Sequence, residues 1–306
     1  MKRILVTGGT VFVSKYTAQW FVQHGYEVYV LNRGSRCQVD GVHLICADRH
    51  DAGLAHLLKG IHFDAVLDIC AYNAEDVTDL LRALHHFDDY ILISSSAVYP
   101  ETNLQPFQET QPVGPNSIWG KYGTDKIEAE QALLALCPQA YILRPPYLYG
   151  PMQNVYREPL VFECALKHRP FCLPQDGSMP LQFFHVKDLC RVMEAILLHH
   201  PEDHVLNVGN SETMTIKEFV QACYAVAGEP LQLVSVSDAI PQRSYFSFHN
   251  YAYKLDITRQ ATLLPETVPL KEGLEDSFRW YIDHPDDVIR KDYIDFIDKN
   301  ILKTDC

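Results

Sequence analysis

Two residues on one predicted helix offer the most definite chemistry in the chain. Tyr122 and Lys126 stand four apart in Tyr122-Gly123-Thr124-Asp125-Lys126, a spacing that places both side chains on one helical face. An ammonium beside a phenol stabilises the phenolate and lowers its pKa from about 10 toward the working range. Tyr122 is therefore a candidate general acid and base, although the same spacing arises by chance in many helices. Upstream, Ser94-Ser95-Ser96-Ala97-Val98-Tyr99 follows an apolar run. A hydroxyl there can hydrogen-bond a substrate carbonyl or alcohol, or merely cap the next turn. Near the N-terminus an apolar run from Ile4 to Val6 leads into Thr7-Gly8-Gly9-Thr10-Val11-Phe12-Val13-Ser14. Strand, glycine turn and helix in that order can hold a dinucleotide. The glycines let the backbone approach a pyrophosphate, and the helix N-terminus offers it N–H groups and the positive end of a dipole. Set against G-x-x-G-x-x-G, Gly8 holds the first place, while Val11 and Ser14 stand at the second and third. An incomplete fingerprint also fits an ordinary strand-turn-helix.

These residues need a frame. Strand patterns at 4–6, 27–32, 42–48, 65–70, 90–94 and 141–144 alternate with helical patterns at 13–24, 51–59, 74–86 and 117–136. Such alternation predicts an α/β fold with a doubly wound parallel sheet, whose ligands bind beyond the carboxyl ends of the strands. The glycine turn and the serine cluster both fall at strand ends. From Pro145 the pattern becomes irregular, with Pro146, Pro151, Pro159, Pro170, Pro174 and Pro180 following. Residues 1–145 are accordingly expected to form a nucleotide-binding domain to which 181–210 returns. Residues 146–180 and 211–306 are expected to form a smaller α+β substrate domain, with helices at 216–227, 273–282 and 287–302.

Composition narrows the partners. The 306 residues carry a formal net charge of −13 and no Lys/Arg cluster, which repels phosphate backbones and disfavours nucleic acid. The nine cysteines are scattered without a C-x-x-C pair, as expected for reduced, mostly buried thiols rather than a zinc site; no metal is expected. No apolar run approaches the length of a membrane span, and the N-terminus enters a strand at once, so a cytoplasmic protein without a signal peptide is expected.

Taken together, the glycine turn, the serine cluster and Tyr122-x-x-x-Lys126 resemble the extended short-chain dehydrogenase/reductase superfamily, in its NAD(P)-dependent epimerase/dehydratase group. Further ordered motifs carry the resemblance along the chain: Arg144-Pro145-Pro146-Tyr147-Leu148-Tyr149-Gly150-Pro151, Phe183-Phe184-His185-Val186-Lys187-Asp188-Leu189, Leu206-Asn207-Val208-Gly209, and Leu270-Lys271-Glu272-Gly273-Leu274. The resemblance implies a Rossmann-type nucleotide domain and Tyr-assisted hydride transfer between a substrate carbon and a nicotinamide. It implies that Tyr122 exchanges the proton, that Lys126 binds the nicotinamide ribose, and that Ser95, with Ser96 as the fallback, is the catalytic hydroxyl. Gly8, Gly9, Thr10, Val11, Phe12, Val13, Asn32, Arg33, Ala71, Pro145 and Tyr147 would line the cofactor, with Asp48 near the adenine. A homodimer through helices of the first domain is implied as well.

The departures are informative. Val11 in the glycine turn is similar to a branch that includes chloroplast stem-loop RNA-binding proteins, and with Ser14 it predicts weakened but retained cofactor binding. Asn32 stands where many NAD-binding members place an acid against the ribose 2′-hydroxyl. Without that carboxylate, and with Arg33 beside it, NADP is favoured over NAD. Ser96-Ala97 replaces the Asp-Glu pair of 4,6-dehydratases and argues against that reaction. Tyr147 replaces an Asn that in many epimerases contacts the substrate diphosphate. The leading expectation is an NAD(P)-dependent oxidoreductase or epimerase acting on a sugar or nucleotide-sugar. The alternatives are an RNA- or protein-binding member with a vestigial nucleotide site, and a reductase of a small non-sugar carbonyl. His185 is expected in a structural role, and the aromatic stretch 245–251 at a domain interface or along the substrate pocket.

Overall fold

The computed structural model describes residues 1–302; of the nine cysteines, Cys306 lies outside the described residues. In the N-terminal half the elements run β1 (Arg3–Thr7), α1 (Phe12–Gln23), β2 (Glu27–Asn32), β3 (Val42–Cys46), α2 (Leu54–Leu57), β4 (His62–Asp68), α3 (Ala74–Ala83), β5 (His86–Ile93), α4 (Lys121–Leu136) and β6 (Tyr141–Arg144), alternating except that β3 follows β2 without a helix. The strand Val205–Asn207 joins them in one seven-stranded sheet, in the order Val205–Asn207, β6, β5, β4, β1, β2, β3. All of its neighbouring strands pair in parallel.

Side chains alternate across such a sheet, and here each face meets helices. Ile4 and Val6 of β1 belong to a core with Trp20 and Phe21 of α1 and with Met193 and Ile196 of the helix Val186–His199. Leu5 faces the opposite core, with Val77 and Leu80 of α3 and Leu133 of α4. Burial on both faces explains why the strands read as continuous apolar runs. Strand order reverses between β1 and β4, which places a crevice at their carboxyl ends, where open α/β sheets bind ligands.

The first compact unit comprises Met1–Leu148, Phe184–Asn210 and Leu255–Thr267. The last segment falls within 211–306 yet clusters here. Gln260 is fully buried, and its amide bonds both the N–H and the carbonyl of Gly209, while Leu264 enters the core. The second unit comprises Tyr149–Phe183, Ser211–Lys254 and the chain from Val268. It holds the helices Glu158–Leu166, Ile216–Ala227 and Leu270–Asp283, and the parallel strand pair Phe171–Pro174 with Leu233–Val236. Phe246 and Phe248, from the stretch expected at an interface or pocket, are fully buried in this unit's aromatic core with Phe171, Phe183 and Phe219.

Three local expectations shift for visible reasons. The helix expected over 117–136 begins only at Lys121. The Asn116 side chain accepts from the N–H groups of Ile118 and Trp119, and Gly120 takes a φ of 52°, so this stretch turns before it coils. The helix expected over 287–302 is continuous only from Tyr293, because Ile289 pairs in extended form with residues 154 and 155. Cys46, inside the strand pattern at 42–48 and among the thiols expected to be mostly buried, is exposed because β3 is the sheet's edge. Among the described residues, no helix is long and apolar enough to cross a membrane.

Candidate active site

The turn after β1 is built for close approach. Gly8 and Gly9 have φ of +89° and +88°, a region costly for any residue with a Cβ. Space is also lacking: a Cβ on Gly8 would lie 2.7 Å from Cys70 Sγ and 2.8 Å from Ser14 Oγ, and one on Gly9 2.6 Å from a Val30 methyl. Ser14 is thus accommodated against the bare face of Gly8. Its hydroxyl donates to the carbonyl of Val11 at 2.9 Å, and it is almost fully buried. Val11 occupies the N-cap of α1 without a side-chain hydrogen bond, and no acidic residue sits in the first turn. The first N–H groups of α1 therefore remain suited to an anion. Thr10 is half-buried, Phe12 is buried, and Val13 packs against the core, so these residues offer a ligand mainly backbone.

The end of β2 is tied to this turn. Asn32 donates from Nδ2 to the Gly8 carbonyl at 2.6 Å and accepts at Oδ1 from the Gly34 N–H. Arg33 is largely exposed, its guanidinium 3.9 Å from a carboxylate oxygen of Asp48. Asp48 also accepts from the His50 N–H, closing the turn after β3.

Lys126 is the electrostatic centre of the crevice. It is 3% exposed, and its ammonium donates to the carbonyls of Ala71 and Ile93 at 2.6 and 2.8 Å, binding α4 to the ends of β4 and β5. Burial pulls its pKa down to about 8, against the opposing pull of Asp68, Cys70, Glu130 and Asp76. Tyr122, one turn earlier, is 42% exposed, open to a reactant. Gly123 between them allows α4 to press on the turn after β5, since a Cβ there would lie 2.5 Å from the Ala97 carbonyl oxygen. That turn is a short 3-10 helix, Ser96–Val98, capped by the Ser95 hydroxyl, which accepts from the Ala97 N–H. Ser95 is half-buried whereas Ser96 is buried, and the Ser96 N–H donates to the Pro145 carbonyl. Tyr147 is nearly buried, its ring edge-on to Trp119 at 6.2 Å.

A buried polar layer supports these groups. Glu130 follows Tyr122 and Lys126 at the same four-residue step, and it forms a two-pronged pair with Arg144 at 2.6 and 2.9 Å. Ser94 donates to Glu130, Arg144 donates to the Tyr99 hydroxyl, and that hydroxyl donates to Asn207. Under the glycine turn, Asp68 accepts from Thr7, Tyr90 and Arg49. Burial alone would raise the Asp68 carboxyl, but the Arg49 guanidinium and these hydroxyls outweigh it and hold it below the usual range. Glu130, Gly123, Tyr72 and the Arg49–Asp68 pair stand outside the residues expected from the sequence. Only Glu130 had a readable signal, its i+8 spacing from Tyr122.

Residues 4–209 match the sequence model of the NAD dependent epimerase/dehydratase family. The chain is 28% identical over 302 residues to the chloroplast stem-loop binding protein of 41 kDa b of Arabidopsis thaliana, covering 90% of this chain and 78% of that one. It is 22% identical over 320 residues to a UDP-glucose 4-epimerase of Corynebacterium glutamicum, covering 90% and 94%. Among solved structures it is similar to the UDP-glucuronic acid 4-epimerase of Bacillus cereus in complex with NAD, with TM-score 0.72, 21% identity and coverage of 92% and 99%. It is also similar to the dTDP-glucose 4,6-dehydratase of Bacillus anthracis in complex with NAD, with TM-score 0.76, 19% identity and coverage of 94% and 98%.

Proposed function

Because the chain belongs to the NAD dependent epimerase/dehydratase family, we propose that it is an NAD(P)-dependent oxidoreductase or epimerase acting on a sugar or nucleotide-sugar. The observation that carries this reading is the joining of Lys126 to the ends of β4 and β5, one helical turn from an open Tyr122. A nicotinamide dinucleotide fits the residues present: the Gly8-Gly9 cradle is one that a Cβ would fill, and the N-terminus of α1 carries no acid to repel a pyrophosphate. When bound, such a cofactor supplies the hydride donor and acceptor. Gly8, Gly9 and the first turn of α1 would hold the pyrophosphate, Ala71, Pro145 and Tyr147 would lie along the nicotinamide half, and Lys126 would bind the ribose. Tyr122 passes a proton to or from a substrate hydroxyl at its phenolic oxygen. The Lys126 ammonium supports the phenolate, and the Ser95 hydroxyl orients the reacting oxygen.

The decisive test is Tyr122→Phe. Turnover on a sugar or nucleotide-sugar substrate should fall roughly 100-fold or more, while the melting temperature holds because the side chain is exposed. Unchanged turnover would remove Tyr122 from the mechanism. A binding role is the second reading, favoured by the chloroplast stem-loop binding relative and opposed by the net charge of −13.

A further inference from the structure

Tyr72 is an aromatic side chain left 55% exposed in the turn between β4 and α3, beside the most buried cation of the crevice. Its N–H donates to Asp76 Oδ2 at 2.6 Å, which joins it to the capping box of α3 and fixes where its side chain leaves the backbone. The Lys126 ammonium lies over the Tyr72 ring, 5.1 Å from its centroid, within the range at which a ring quadrupole attracts a cation.

We propose that Tyr72 is a positioning residue whose ring face keeps the Lys126 ammonium charged and in place beside Tyr122. The proposal rests on the assignment of Tyr122 and Lys126 above. Lys126 has three N–H donors, and two carbonyls take hydrogen bonds from it. The titratable groups facing it come from several elements: Asp68 at the end of β4, Cys70 just after it, whose thiol burial keeps neutral, Asp76 on α3, and Glu130 on α4. Asp68 is already paired with Arg49 at 3.0 Å and Glu130 with Arg144 at 2.6 Å. Asp76 accepts from the N–H groups of Tyr72 and Asn73 and lies 3.2 Å from His50. Each neighbouring carboxylate is thus shared with another cation or N–H group, and the ring adds its own attraction for the ammonium to theirs. Burial, followed by Cys70 and Tyr122, raises the pKa of Tyr72 itself, so the ring stays a neutral phenol in the working range.

The test is the dissociation constant of NADP, or of NAD if that binds more tightly, measured from pH 6 to 9. It compares the wild type, Tyr72→Leu, Tyr72→Phe and Lys126→Met, each with its melting temperature. In the wild type, affinity should weaken as pH rises through the pKa of Lys126. Loss of the ring in Tyr72→Leu should move that weakening about half a unit to one unit lower in pH. Tyr72→Phe, which keeps the ring, should behave as the wild type. A Tyr72→Leu profile that coincides with the wild type overturns the proposal. So does a Tyr72→Phe profile displaced as far as that of Tyr72→Leu, which would assign the effect to the hydroxyl. If Lys126→Met abolishes the pH dependence while Tyr72→Leu does not move it, only this inference fails. If Lys126→Met leaves both affinity and pH dependence intact, the assignment of Lys126 fails and the inference with it.

Discussion

At the scale of single residues, burial sets the behaviour of the groups that matter. His185 caps the helix Val186–His199, accepting from the Lys187 N–H, and burial pulls its pKa from 6.5 to about 3. Between those values the unfolded chain takes up a proton that the folded one refuses. Stability should therefore fall as pH drops from about 6.5 toward 3, by up to about 1.4 kcal/mol per pH unit. His185→Asn keeps a capping acceptor without the titration. Urea unfolding at pH 7 and pH 5 should show a smaller loss in that variant, and an equal loss would exclude His185 as the cause. Cofactor choice also rests on single residues. Asn32 is committed to Gly8 and Gly34, so no carboxylate from this position opposes a 2′-phosphate, and exposed Arg33 can pair with one. NADP should bind more tightly than NAD, and Arg33→Ala should weaken NADP about tenfold while sparing NAD. Tighter binding of NAD by the wild type rejects this preference.

At the scale of elements, α4 is the part on which the site depends. Tyr122, Lys126 and Glu130 share one face because they recur every four residues, and that regularity is readable in the sequence. How close the helix comes to the turn after β5 is not readable, because it depends on a backbone carbonyl far away along the chain. Gly123 shows the difference. Replacing glycine by alanine inside a helix ordinarily stabilises by roughly 0.5–1 kcal/mol. Here the new Cβ would meet the Ala97 carbonyl at 2.5 Å, and that oxygen cannot move without shifting the turn Ser96–Val98. Gly123→Ala should instead destabilise by about 1–3 kcal/mol and lower turnover with it. Urea unfolding of this variant checks the sign, and a stabilised protein would mean that the contact is relieved at no cost.

At the scale of the whole molecule, the acidic charge and the Gly8-Gly9 cradle bear on the two functional readings. If the cradle is a working nucleotide site, NADP or NAD should raise the melting temperature, since ligand at 100 times its dissociation constant adds about 2.7 kcal/mol. If the chain instead acts on RNA, a gel shift should appear that weakens steeply with salt. A nucleotide-dependent rise without a gel shift at low salt removes the RNA reading, and the reverse result removes the enzyme. Much of this molecule is determined by its sequence alone. Apolar runs buried on both faces specify strands, helical spacing specifies the helices between them, and the order of Gly8, Ser95, Tyr122 and Lys126 specifies the family, because all of these are local or ordered along the chain. Only the tertiary structure decided that Ser14 fits against Gly8, that Lys126 is held by Ala71 and Ile93 and covered by Tyr72, that Arg144 answers Glu130, and that Leu255–Thr267 rejoins the first unit. Those facts depend on which distant backbone and side-chain groups come within contact range. Contact range is set by the packing of the sheet and its helices, and spacing along the chain does not encode it.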